Sequence, residues 1–218
     1  MKNSLSSSWL IFLLMIPFIG GAQNESYEYQ GFGLKAGENY FNIDLQPSVG
    51  DISAEVSYSG GLVYVFSNKK NVGLQVEALF SSRKWKENID EYVASTELQY
   101  LEIPLMTNIN FGAANLKYIL NLGTYFAVNL DKKLSHNLPE THEQYLTLVG
   151  REERNSDFGL LIGGALRYLS PVGIFQLDIR FAYGYQKIYN EEATGFRFSN
   201  MSGLNAGIIY MINLHKNE

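Results

Sequence analysis

Seven charged residues fall where extended chain would turn them all to one side: Lys35, Glu77, Glu102, Lys117, Arg167, Asp178 and Arg180, four cations against three carboxylates. Opposite charges held in one confined space can pair into a structural network or line a path for protons or ions. The structural reading is preferred, because an unpaired buried charge costs several kcal/mol and the enclosure inferred below leaves no open channel. A second set lies in HNLPETHE, where His136, His142, Glu140 and Glu143 offer imidazole and carboxylate ligands. Their spacing fits no standard zinc motif, so no metal residue is assigned. Nucleophilic catalysis would need a Ser, a His and usually an acid brought together. Beyond the N-terminal leader the histidines are His136, His142 and His215, none on a central strand, and G-x-S-x-G is absent. No catalytic or cofactor-binding residue is assigned, and the expected cofactor complement is none.

The elements that must position these charges show in the alternation. In FQLDIRFAYGYQ (175–186), Phe175, Leu177, Ile179, Phe181, Tyr183 and Tyr185 share one parity, and Gln176, Asp178, Arg180, Ala182, Gly184 and Gln186 the other. That is a strand with one apolar and one polar face. Similar alternation predicts strands at 30–40, 56–66, 72–85, 96–110, 116–128, 157–169, 173–188 and 201–214. The connections alternate between short (SNKKN, GAAN, SPVG) and long (41–55, 86–95, 129–156, 189–200). An up-and-down meander places every short turn at one end and every long loop at the other, as in outer membrane barrels. The glycine patterns G-F-G (31–33) and GLLIGG (159–164) lie inside strands, so neither a phosphate loop nor a helix-pairing motif applies.

The polar parity is small (Gly31, Gly33, Gly61, Gly123, Gly159, Gly163, Gly203) apart from the charges, and the other is bulky with Leu, Ile, Phe and Tyr. A barrel of about eight strands has an interior just wide enough to be filled by side chains, so the bulky parity faces out. Such an outer face is stable only in lipid. Aromatics near both strand ends predict two interfacial girdles: Phe66, Phe111, Tyr118, Tyr168, Phe175 and Tyr210 at the short-turn end, and Tyr58, Trp85, Phe126, Phe158, Tyr183 and Tyr185 at the other. Pro104 lacks an N–H for the ladder, and a bulge or bend is expected there.

Length and ends fit an exported chain. The 218 residues suit one folded domain. MKNSLSSSWLIFLLMIPFIGGAQ has one basic residue, an apolar run and small residues before Gln23, the layout of a signal peptide cleaved after Ala22. The expected domains are a signal peptide over 1–22 and a barrel over 23–218. Cysteine is absent, which excludes disulfides and thiol chemistry. Losing Lys2 with the leader moves the formal charge from −5 to −6, a poor balance for nucleic-acid binding.

LQYLEIPLMTNINF (98–111), LKYILNLGTYFAV, SDFGLLIGGALRY, FQLDIRFAYGYQKIY and the strand ending GIIYMI resemble the PorT-like outer membrane β-barrel proteins of the Bacteroidota, over essentially the whole mature chain. The resemblance implies a location in the outer membrane and, through the founding member, a link to type IX secretion and gliding. Asn205-x-Gly207-x-x-Tyr210-x-Ile212 resembles the last-strand signal read by the barrel-assembly machinery, although the chain runs on to Glu218.

The expectation is an all-β, about eight-stranded antiparallel up-and-down transmembrane barrel in the outer membrane, non-catalytic, with a plugged lumen and surface loops. Its partners would be outer membrane lipid, the assembly machinery and envelope or secretion-complex proteins. The alternatives are a lipid-modifying enzyme of the outer membrane and a soluble lipocalin-like binding barrel.

Overall fold

The computed structural model describes residues 29–48, 50–69, 71–112 and 115–214. The expected signal peptide and His215 lie outside them. The strands are β1 (Tyr29–Gln46), β2 (Asp51–Lys69), β3 (Val72–Ile89), β4 (Tyr92–Phe111), β5 (Leu116–His136), β6 (Ser156–Ser170), β7 (Gly173–Gly184) and β8 (Phe198–Asn213). Two short helices, α1 (Tyr145–Val149) and α2 (Glu191–Thr194), lie in the last two long connections. The strands follow chain order around a closed barrel, and β1 pairs with β8 antiparallel from Gly31↔Asn213 to Gln46↔Phe198. Closure leaves no unpaired edge, which a lipid environment requires.

The small and charged parity faces the interior. Lys35, Glu77, Glu102, Lys117, Arg167, Asp178 and Arg180 are all buried, while Leu34, Phe80, Leu105, Tyr118, Ile162 and Leu177 are exposed on the outer wall. Several interior glycines are needed for packing: a Cβ on Gly163 would strike the Ile179 carbonyl, and one on Gly203 would lie 2.5 Å from the Tyr40 carbonyl oxygen.

Three expectations need correction. The stretches 41–55 and 86–95 are mostly strand, as is 129–136, so that β1 runs to Gln46, β2 starts at Asp51, β5 runs to His136, and a two-residue turn at Asp90 and Glu91 joins β3 to β4, with Asp90 in the left-handed region at φ 54°. They escaped the pattern because the sense of the alternation inverts. On β1 the inward parity changes from Gly33, Lys35 and Gly37 to Phe41, Ile43 and Leu45, and the outward parity from Phe32 and Leu34 to Asn42 and Asp44. Trp85 belongs to this inverted region: it is fully buried in the mouth and is not a girdle residue. At Pro104 there is no bulge, since the β3–β4 register is the same at Val76↔Leu105 and Leu79↔Glu102. The ladder instead skips the two pairs between, where the proline has no N–H to give.

Candidate functional site: a filled lumen and a plugged mouth

β1, β3 and β7 bring four of the predicted charges together. Lys35 Nζ lies 3.4 Å from Asp178 Oδ1 and 3.8 Å from Glu77 Oε2. Arg180 donates through Nη1 to Glu77 Oε2 at 2.8 Å and through Nη2 to Glu77 Oε1 at 2.6 Å, and also pairs with Asp178. Two cations face two carboxylates in a fork geometry that suits guanidinium and carboxylate. Asn205 accepts from Lys35 Nζ at 2.6 Å and donates to Ser59 Oγ at 3.0 Å.

The other three divide. Arg167 is surrounded by amides, donating to Gln176 Oε1 at 2.7 Å, Asn108 Oδ1 at 3.0 Å and Gln75 Oε1 at 3.2 Å. Gln75 also donates to Glu77 at 2.5 Å, tying Arg167 to the quartet. Lys117 is buried on β5 opposite Arg167. Glu102 stands in a separate group, accepting from Arg83 Nη2 at 2.9 Å, while Arg83 Nη1 reaches Asp157 Oδ2 at 2.6 Å. Tyr125 donates its hydroxyl to the same Asp157 oxygen at 2.7 Å, and the Arg83 guanidinium lies 4.6 to 5.1 Å from the ring centres of Tyr100, Phe41 and Tyr125.

Sequence reasoning missed Arg83 and Asp157, although Arg83 continues the inward parity of Gln75 and Glu77, and Asp157 that of Gly159. It also missed the plug. Arg151, from the connection between β5 and β6, enters the mouth and donates through Nη1 to both Glu87 oxygens at 2.7 and 2.8 Å. Trp85 Nε1 donates to Glu87 Oε1 at 3.0 Å, and the Arg151 guanidinium lies over Tyr189 and Phe196 at 5.5 and 5.1 Å. Burial pushes the Arg151 side chain toward its neutral form, but the Glu87 charge outweighs it and leaves its pKa raised. Burial likewise pushes the Tyr189 hydroxyl up. A Glu153↔Tyr189 bridge and the Arg154 N–H donating to the Ile188 carbonyl at 2.7 Å tie the two long connections together. No spacing in the sequence foretells a loop arginine turning inward.

A cavity of about 10 Å³ between the quartet and the Arg83 group, with Asn39, Ser81 and Leu161 in its wall, is no larger than a single water needs.

HNLPETHE does not converge on a metal. His142 Nε2 lies 3.4 Å from Asp90 Oδ2 with its ring edge-on to Tyr92, whereas His136 packs edge-on to Tyr145. No group of three metal-ligating side chains occurs among the described residues. Of the last-strand residues, Asn205 and Gly207 face the quartet and Tyr210 and Ile212 face out. The Tyr210 hydroxyl donates to the Val172 carbonyl at 2.7 Å.

With this geometry in view, the sequence of residues 21–190 matches the family profile described as outer membrane protein beta-barrel domain. The chain belongs to that family. It is an outer membrane protein, and its apolar outer wall is the surface that meets lipid. The match ends before β8, the strand that closes this outer membrane barrel. A search of curated proteins finds no match. Among solved structures the chain is similar to Ail, the attachment invasion locus protein of Yersinia pestis, at 12% identity and a TM-score of 0.44 over 85% of this chain and 99% of that one. It is similar to OprG of Pseudomonas aeruginosa at 11% identity and a TM-score of 0.49 over 88% and 97%. Outer membrane protein W of E. coli is similar at 13% identity and a TM-score of 0.40 over 83% and 97%. At such identities nothing about ligands or partners passes from them to this chain.

Proposed function

We propose that the protein is a non-catalytic membrane component of an envelope assembly: a sealed barrel that carries a folded cap for partners at the cell surface. The carrying observation is the mouth, where Arg151 draws 150–155 against 188–190 over a lumen already filled by ion pairs. A lumen so filled suits neither an open pore nor the passage of folded cargo. The seven interior charges then act as structural filling, and residues 1–22 act as the export signal. The resemblance of YLEIP and D-I-R-F-x-Y-G to PorT-like proteins supports a place near type IX secretion. The last-strand residues would deliver the chain to the assembly machinery. The lipid-modifying alternative draws no support from the histidines, since His136 and His142 contact different tyrosines in the cap.

In-cell crosslinking followed by mass spectrometry tests this reading. The wild type should capture envelope proteins through residues 137–155 and 185–197, and a variant with 139–149 deleted should still insert but lose them. Equal capture by both, or steady ion conductance of the wild type in planar bilayers, would overturn it.

A further inference from the structure

The two ends of the lumen differ in charge. Between the quartet and the short turns the interior holds Lys117 and Arg167, both buried and directly opposite each other on β5 and β6. Like charges opposite each other across a ladder are destabilising, and in a confined interior they call for an anion between them. The three amide oxygens around Arg167 carry no charge. Among the described residues no Asp or Glu lies on the short-turn side of Glu77 and Asp178, on a strand or in a short turn.

The same end has polar groups to spare. Asn110 faces the interior of β4 opposite Ile119, between the levels of Lys117 and Asn121, and is buried with neither side-chain atom hydrogen-bonded. The Asn121 Nδ2 is likewise without an acceptor. Two cations and two amide donors thus face an acceptor that the described strands do not supply.

Charge and chain length select the occupant. Of all the acids in the chain, only Glu25, Glu28 and Glu218 belong to segments that adjoin this end, because β1 starts there and β8 ends there. The run HKNE (215–218) sets His215 and Lys216 beside its acid, whereas QNESYE (23–28) has two carboxylates and no basic side chain. Six residues reach about 20 Å when extended, enough to cross the narrow interior of an eight-stranded barrel. The outer mouth shows the reciprocal arrangement, in which Arg151 of a connecting segment enters onto a strand acid, Glu87.

We propose that residues 23–28 turn back into the short-turn end of the lumen, where Glu25 and Glu28 pair with Lys117 and Arg167. The barrel is then stoppered from both sides by its own segments, a loop arginine at one end and an acidic N-terminal strap at the other. The site does not depend on what the cap binds.

The test uses the full mature protein folded in maltoside micelles, with Ser26→Cys supplying the one thiol in a chain that has none. Labelling of a docked segment follows its open fraction, so a bulky water-soluble maleimide should modify this protein about tenfold more slowly than the same chain carrying Glu25→Gln and Glu28→Gln. Both substitutions precede β1, and heat-modifiable mobility on gels should be unchanged. Lys117→Glu should release the segment too, and combining it with Glu25→Lys and Glu28→Lys should restore slow labelling, a rescue that lost packing cannot give. Equal labelling with and without the two carboxylates would overturn the proposal. So would protection that survives their loss but disappears on removal of 215–218, which would assign the site to the C-terminal run. Fast labelling of the segment together with a higher unfolding midpoint in added inorganic phosphate would also overturn it, by making the site one for a free anion.

Discussion

The barrel is two structures on one set of strands. Between the girdles it is inside out, with Leu, Ile and Phe on the wall and an ionic quartet in the middle. Above the outer girdle the same strands have an apolar interior of Phe41, Ile43, Leu45, Trp85 and Leu98, and a polar exterior of Asn42, Lys84, Lys86 and Glu97. The change is abrupt: on β3 the outward series runs Val76, Ala78, Phe80 and then Ser82, Lys84, Lys86. Solvent alone accounts for it. A wall in hydrocarbon must be apolar, so the interior can be polar if its charges pair; a wall in water leaves the interior as the place to bury apolar surface. The hydrophobic effect therefore acts on opposite faces of one strand, and the ladder hydrogen bonds run through both regions.

The two regions should fail differently. The largest effect belongs to the quartet: Arg180→Leu takes from Glu77 and Asp178 one of the quartet's two cations, and removing one partner of a buried pair costs about 3 to 5 kcal/mol. Urea unfolding from micelles, followed by loss of heat-modifiable mobility on gels, should show a lower midpoint. An unchanged midpoint would mean that the lumen charges are solvated. In the mouth Leu98→Ala should cost about 2 to 5 kcal/mol by opening a cavity.

The boundary itself comes next in size. Ile162, on the wall midway between the girdle residues of β6, should cost about 2 to 4 kcal/mol when changed to Lys. Lys84→Leu, on the wall above the girdle, should cost well under 1 kcal/mol, since exposed pairs contribute little. Refolding yields and unfolding midpoints in lipid vesicles compare the two. Similar costs would erase the distinction between the regions.

The inside-out half was the legible half. Strict alternation over 175–186, repeated more loosely in the other strands, glycines on the charged parity and aromatics near strand ends point to a lipid-facing barrel of about eight strands. The mouth was harder to see because a period of two does not record which parity is apolar. Where the sense inverts, as at Tyr40 and Phe41, the pattern locally breaks and a strand reads as a loop. Trp85 was misplaced for that reason. The interior charges were visible on strands, but their pairing needs register across the barrel, as Arg83 with Asp157 shows at a separation of 74 residues. Arg151 was hidden altogether, because a loop residue carries no parity.

The smallest effect tests the outside of the mouth. Glu55 faces water above the girdle, 3.1 Å from Lys84 Nζ and 2.5 Å from Lys86 Nζ, and accepts from Ser95 Oγ at 2.9 Å. Burial pushes its carboxyl up, but the Lys86, Lys84 and Ser95 hydrogen bonds outweigh that and hold it at about 2, below the usual 4.5. A folded-state value below the unfolded one means the unfolded chain binds the proton first as pH falls. The stabilisation is thus complete above about 4.5 and is lost toward 2. The group is largely solvent-screened, so its size is about 1 kcal/mol or less. Glu55→Gln should therefore lower the wild-type midpoint slightly at pH 6 and match it at pH 2. A difference that stays constant across that range would mean that Glu55 acts through packing and not through charge.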